Sequence, residues 1–216
     1  MRCYVRLMRR EDIALVTEID REVFPTMWPM ANYQHELNNC LAHYVVACDG
    51  ERKVDEPAVT PDKRGSGLSS WLRQLINYGH FFGNALPPSA GEYIVGFAGF
   101  WIMADEAHIT SIAVREIHRR QGVGELLLIA LIELAAKLNA RIITLEVRAS
   151  NTDAQNLYYK YGFTKVGQRR GYYLENREDG VIMSTEDITS APFQARLKQL
   201  KEAHFKKWGM ALCEVA

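Results

Sequence analysis

The stretch from Ile109 to Leu138 constrains the fold more than any other part of the chain. It reads as a strand, a basic glycine turn and a helix. Ile109 to Val114 is a short apolar run with β-branched members, the pattern of a strand. Arg119-Arg120-Gln121-Gly122-Val123-Gly124 follows after a polar turn. Val123, Leu126, Leu127, Ala130, Leu131, Leu134, Ala135 and Leu138 then recur at the i, i+3, i+4, i+7 spacing of an amphipathic helix. The first N–H groups of a helix have no internal partner and lie at the positive end of its dipole. Two glycines let a ligand approach the backbone, and two arginines add full charges, so the turn is a candidate phosphate site. The same residues also suit a plain strand-to-helix turn with solvated arginines. The spacing is not that of a P-loop, and a dinucleotide site would want a third glycine and an acidic residue about 20 positions on.

The rest of the composition narrows the class. A length of 216 residues suits one α/β domain with additions, or two small domains. Lys+Arg and Asp+Glu both number 26, which argues against a general nucleic-acid binder. Cys3, Cys40, Cys48 and Cys213 have neither C-x-x-C spacing nor a matching histidine pattern, so no metal site and no disulfide framework is expected. Reduced thiols, a direct start into the strand pattern Tyr4 to Met8 and the lack of an apolar run near 18 residues lead to the expectation of a cytoplasmic protein off the membrane.

Taken in order, residues 3–8 read as a strand and Glu11 to Val23 as a helix with Ile13, Val16, Ile19 and Val23 on one face. Phe24 to Pro29 break it, and the aromatics Phe24 and Trp28 either plug the core or wall a substrate groove. A second helix is expected over about Asn32 to Leu41, then a strand at Tyr44 to Cys48. Residues 50–89 differ: a charged, Pro/Gly-containing loop precedes a segment from Leu68 to Phe82 with apolar residues at helical spacing. That insertion could cover the domain, the ligand or a second subunit. Tyr93 to Met103 and Ile109 to Val114 read as a hairpin, and Arg141 to Arg148 as a strand after the long helix. Strand, helix, strand in that order implies a parallel crossover. A short helix from Ser150 or Asn151 to Tyr161 ends at Gly162. Phe163 to Arg170 and Val181 to Thr185 form a last antiparallel pair, with Tyr172-Tyr173 between them. Pro192 to Trp208 form an appended helix with Phe193, Leu197, Leu200, His204 and Trp208 on one side.

Two further features carry chemistry. With period two, Ile143, Leu145 and Val147 share one strand face, while Thr144, Glu146 and Arg148 share the other. A mid-strand carboxylate such as Glu146, facing a cleft, can act as a base; the alternative is an ion pair with Arg148 or Arg141. Tyr158 follows in the short helix, where it is either a core residue or a phenol returned to the same cleft. His108 is a possible extra base or a hydrogen-bonded structural histidine.

The combination resembles the GCN5-related N-acetyltransferase (GNAT) superfamily, and within it the bacterial ribosomal-protein-alanine N-acetyltransferases. The residues that carry the resemblance are Asp105 to Ile109, Ile112 to Val114, Arg119 to Gly124, Leu145 to Asn151, Leu157-Tyr158, Gly162-Phe163 and Tyr172-Tyr173. It implies a GNAT-type α/β fold, with a mixed, mostly antiparallel twisted sheet, a central parallel strand pair and helices on both faces. Residues 1–187 would be one domain carrying the insertion at about 50–90, and 188–216 a helical extension. The resemblance further implies that Arg119, Arg120, Gln121, Gly122, Val123 and Gly124 hold the pyrophosphate of acetyl-CoA. Ile112, Ala113 and Val114 would pair with the pantetheine arm, which Asn151 also contacts. Glu146 would be the general base and Tyr158 the general acid beside the thiolate. Phe24, Trp28, Tyr172 and Tyr173 would flank the acceptor. No cysteine lies in these motifs, so direct attack in a ternary complex is expected, with no metal. The implied acceptor is a protein N-terminus, in the first instance the N-terminal alanine of a small-subunit ribosomal protein. Acetylation of a lysine or small amine, or a non-catalytic CoA-binding scaffold, are the alternatives. A monomer or weak homodimer, without direct nucleic-acid contact, is expected. The insertion, the tail, Met27 before Trp28 and Leu174 after Tyr173 depart from the family pattern and bear on acceptor choice.

Overall fold

The computed structural model describes residues 3–24, 31–52 and 92–209, and the backbone of 211–212. Trp28 and nearly all of the 50–90 insertion lie outside the described residues. The elements are β1 (Cys3–Leu7), a 3-10 turn (Arg10–Asp12), α1 (Ile13–Val23), α2 (Tyr33–Glu36), β2 (Ala42–Asp49), β3 (Tyr93–Met103), β4 (Glu106–Val114), a second 3-10 turn (Glu116–His118), α3 (Val123–Lys137), β5 (Ile142–Arg148), α4 (Thr152–Lys160), β6 (Thr164–Tyr173), β7 (Glu178–Ser184), α5 (Ala191–Trp208) and β8 (Ala211–Leu212). The strands form one sheet in the order β6-β7-β5-β4-β3-β2-β1-β8. β4 and β5 are its central parallel pair, β8 joins β1 in parallel, and the other pairings are antiparallel.

Alternation along each strand sends side chains into two separate cores. On one face, Val45, Ala98, Ile109, Leu145 and Met183 pack with α3, with Tyr158 of α4 and with Leu197 of α5. On the other, Val46, Cys48, Ile94 and Phe97 pack with Val16 and Ile19 of α1 and Tyr33 of α2. The expected mixed sheet with helices on both faces is therefore present. The first helix is anchored by the buried Arg6 guanidinium of β1, which donates to both Asp12 oxygens (2.7 and 2.9 Å) and to Glu92 (2.8 Å).

Three local expectations differ from the structure. α2 is a single turn rather than a helix from Asn32 to Leu41. Asn32 caps it by accepting from the His35 N–H (3.1 Å), and Asn39 turns the chain by accepting from the Leu41 N–H (3.1 Å). Asparagine side chains compete with helical bonding in this way. Tyr172 and Tyr173 lie inside β6 rather than between strands. α3 is not one-sided: every residue from Leu126 to Ile132 is buried. The appended helix α5 lies along one side of α3, with Lys201 paired to Glu133, His204 beside Glu125 and Trp208 laid against Gly122.

The feature that positions a site is a separation in the middle of the sheet. β4 pairs with β5 only over Glu106–Ile109 against Ile142–Leu145. Beyond that point β4 stays paired to β3 as far as Val114, and β5 stays paired to β7 as far as Arg148. The two strands thus part while each keeps its outer neighbour. The cause is local. Ser111 faces Gly99 and Ile109 faces Phe100, so Thr110 is an extra residue in β4. A bulge of this kind bends its strand and increases the twist.

Candidate active site

The glycine turn closes the separated end of β4. Arg120 and Gly122 both adopt positive φ (61° and 83°), and Gly122 is the N-cap of α3 with no side-chain cap. The Leu126 N–H is bonded back to Gly122 O (3.0 Å), so the N–H groups of Val123, Gly124 and Glu125 point out of the helix end. The neighbouring side chains brace the turn. Arg119 donates to Val114 O (3.3 Å), Gln121 to Ile117 O (3.0 Å), and Arg120 pairs with Asp153 in the first turn of α4 (3.1 Å). A diphosphate fits such a set of uncapped donors. Ile112, Ala113 and Val114 line the β4 edge that β5 has left, so their segment offers main-chain groups to an extended ligand. Asn151 is the N-cap of α4, accepting from the Ala154 N–H (3.1 Å), which leaves its amide NH2 as the group that can face a ligand.

Glu146 lies just past the last β4–β5 pair, on the face away from α3. Its side chain is 7% exposed. His108 Nε2 stands 3.1 Å from one carboxylate oxygen and Arg169 Nη2 3.1 Å from the other. Neither expected arginine is its partner: Arg148 pairs with Glu175 and Glu178, and Arg141 with Asp187. His108 Nδ1 meets Thr144 Oγ1 (2.9 Å), and that hydroxyl meets Glu106 Oε1 (2.5 Å).

Tyr158 occupies the other face, buried in the core that contains Val147 and in ring contact with Phe163 (centroids 5.6 Å). Its hydroxyl has no hydrogen bond among the described residues. Burial raises its pKa, with the Tyr173 phenol adding to the effect. Glu146 and Tyr158 thus lie on opposite faces of the sheet.

Tyr172 and Tyr173 form a T-shaped pair (5.2 Å) at the end of β6. The Arg148 guanidinium lies 3.9 Å from the Tyr173 ring and that of Arg169 5.3 Å from the Tyr172 ring. Burial pushes the Tyr173 phenol up to about 12 against the opposing charge of Arg148. Burial and then the Glu146 charge raise Tyr172. Phe24 is half-exposed at the C-cap of α1. Reasoning from sequence missed Arg169, Thr144, Glu106 and Trp208. Thr144 was legible as a same-face neighbour of Glu146. Arg169 was not, because the shift of register between Lys165 and Gly167 decides which face it occupies.

Residues 13–163 match the acetyltransferase (GNAT) family. The chain belongs to that family. A Bacillus subtilis (strain 168) protein bearing the provisional name ribosomal protein bS18-alanine N-acetyltransferase is 34% identical over 180 residues, 83% of this chain and 92% of that one. The crystal structure of the ribosomal-protein-S18-alanine N-acetyltransferase from Escherichia coli superposes with a TM-score of 0.61 at 22% identity, over 86% of this chain and 94% of that one. A structure of the NatC complex bound to Gag peptide and CoA gives 0.59 at 18% identity, covering 86% and 99%. At those identities the two structures establish the shared fold. GNAT enzymes take their acetyl group from acetyl-CoA, and this chain is an N-acetyltransferase of that kind. Among the described residues no cluster of potential metal ligands occurs, and no helix is long and apolar enough to cross a membrane.

Proposed function

We propose that this GNAT enzyme acetylates the α-amine of a protein N-terminus, with the N-terminal alanine of ribosomal protein bS18 as acceptor. The observation that supports the reading is the Glu146 carboxylate just past the last β4–β5 pair, with the Tyr158 phenol in the core on the opposite face of the sheet. Bound acetyl-CoA supplies the activated acetyl group. The uncapped turn at Gly122 to Gly124, with Arg119, Arg120 and Gln121, receives the diphosphate. The edge at Ile112 to Val114 holds the pantetheine arm beside Asn151, and one of its N–H groups polarises the acetyl carbonyl. The acceptor enters on the Glu146 face, flanked by Phe24 and the Tyr172–Tyr173 pair. Glu146 takes a proton from the incoming ammonium, and Tyr158 gives one to the departing sulfur.

The acceptor chemistry suits this apparatus. An α-amine with a pKa near 8 is roughly one-tenth neutral at pH 7, whereas a lysine near 10.4 is about 0.04% neutral. Deprotonation therefore costs about 1–1.5 kcal/mol for the first and about 4.6 for the second. One carboxylate is enough for the former, and positioning with carbonyl polarisation supplies the rest of the acceleration. The names of the B. subtilis and E. coli relatives support the choice of bS18.

The test uses acetyl-CoA with two peptides, one carrying the bS18 N-terminal alanine and no lysine, the other a blocked N-terminus and an internal lysine. Mass spectrometry should find transfer to the alanine peptide alone. Glu146→Gln and Tyr158→Phe should each lower kcat by about 10²–10⁴-fold. Transfer to the lysine peptide alone would overturn the assignment.

A further inference from the structure

We propose that His108, Thr144 and Glu106 form a proton exit that carries to solvent the proton Glu146 takes from the acceptor amine. The proposal rests on Glu146 being that base. An ammonium that becomes an amide releases one net proton per turnover: a C–N bond forms, the C–S bond breaks, and one of the two lost protons stays on the thiol. The other must leave Glu146 before the next cycle. Glu146 is 7% exposed and its second oxygen faces the Arg169 guanidinium, which has no proton to accept. The route through its first oxygen is the one with an acceptor on it.

Proton counting along that route fixes its polarity. Four groups stand in line: Glu146 Oε2, then His108 Nε2 at 3.1 Å, Thr144 Oγ1 at 2.9 Å from the ring's Nδ1, and Glu106 Oε1 at 2.5 Å from Oγ1. Thr144 has one hydrogen and gives it to the Glu106 carboxylate. Its oxygen must therefore accept from His108, which sets the neutral imidazole as the Nδ1–H tautomer. The bare Nε2 then faces Glu146. Two carboxylates, one hydroxyl and a neutral ring hold two protons for three contacts, and the empty contact is the one beside the base.

A proton arriving on Glu146 fills it. Nε2 takes that proton, Nδ1 passes its own to Thr144, and Thr144 passes its hydrogen to Glu106. Glu106 is partly exposed and releases it to water. The ring, whose side chain is 28% exposed, exchanges with water back to the Nδ1–H tautomer as the hydroxyl rotates back. The other groups near this line are Trp101, opposite His108 on β3, and Arg169 and Tyr172 from β6, none of which offers a competing acceptor at neutral pH.

The test compares Glu146→Gln, Thr144→Val and Thr144→Ser in the full chain under saturating substrates. Valine keeps the shape of threonine and removes the hydroxyl; serine keeps the hydroxyl. The expected result is a kcat about tenfold or more lower for Thr144→Val, with KM for both substrates unchanged and kcat rising with added imidazole buffer. Thr144→Ser should retain wild-type kcat. A Thr144→Val enzyme with wild-type kcat overturns the exit, as does a loss shared by Thr144→Ser or one that buffer leaves unchanged. If Glu146→Gln itself keeps wild-type kcat, the base assignment fails instead, so the two failures are distinguishable.

Discussion

Gly122→Ala tests the junction between the cofactor turn and the appended helix. Gly122 has φ +83°, and a Cβ there would lie 2.8 Å from Cδ1 and Nε1 of Trp208 and 2.9 Å from Cε2. Two costs follow. A left-handed conformation disfavours alanine by about 1–2 kcal/mol. Overpacking against a rigid indole adds about 1–3 kcal/mol, because either the turn or α5 must move. The sum is about 2–5 kcal/mol, measurable as a lower urea midpoint at unchanged m-value. Trp208→Ala removes the obstacle but not the dihedral cost. In that background the same substitution should cost only about 1–2 kcal/mol, a coupling of about 1–3 kcal/mol between the two sites. Calorimetric titration with acetyl-CoA should follow the same order, weakest for Gly122→Ala alone and partly restored in the double variant. Equal costs in both backgrounds would refute the claim that the indole sets the shape of the turn.

Asp12→Ala should destabilise by about 3–5 kcal/mol, read by thermal unfolding, because it strips a buried guanidinium of its bidentate partner; a loss below about 1 kcal/mol would mean that Glu92 alone satisfies Arg6. Acid titration should expose Glu125. Burial pushes its carboxyl up, but His204, Lys160 and Tyr161 outweigh that and hold it at about 2, against an ordinary value of 4.5. A depressed carboxyl stabilises above its unfolded value, so up to about 3 kcal/mol present above pH 4.5 should vanish as pH falls toward 2. Glu125→Gln should flatten that part of the stability profile, and an unchanged slope would refute the linkage.

Much of the fold was legible because it rests on local patterns. The strand-turn-helix at Ile109 to Leu138 and the period-two split of β5 both depend on spacing within one element, and both are present in the structure. What was not legible depends on register or on distant segments. α3 reads as one-sided because its most regular apolar spacing marks the sheet-facing stripe, yet Leu128, Ile129 and Ile132 are equally buried, and part of the helix meets α5, which arrives much later in the chain. The partners of Glu146 follow from the β4–β5 and β6–β7 registers, including the shift between Lys165 and Gly167, and no spacing rule gives those. Same-strand arginines were the natural guess, but Arg148 is drawn to the acidic hairpin residues Glu175 and Glu178 instead. The pairing of β8 with β1 rests on two residues and left no pattern to read.

The burial of α3 on every side also sets an order of events during synthesis. α3 leaves the ribosome with β5, α4, β6, β7 and α5 still to come, and the side that carries Gly122, Glu125 and Glu133 meets Trp208, His204 and Lys201 only when α5 follows. A nascent chain that holds the strands through β7 can assemble most of its sheet, yet that side of α3 still lacks α5. The interval between the emergence of α3 and that of α5 is therefore the period in which this chain most needs a chaperone or a fast ribosome.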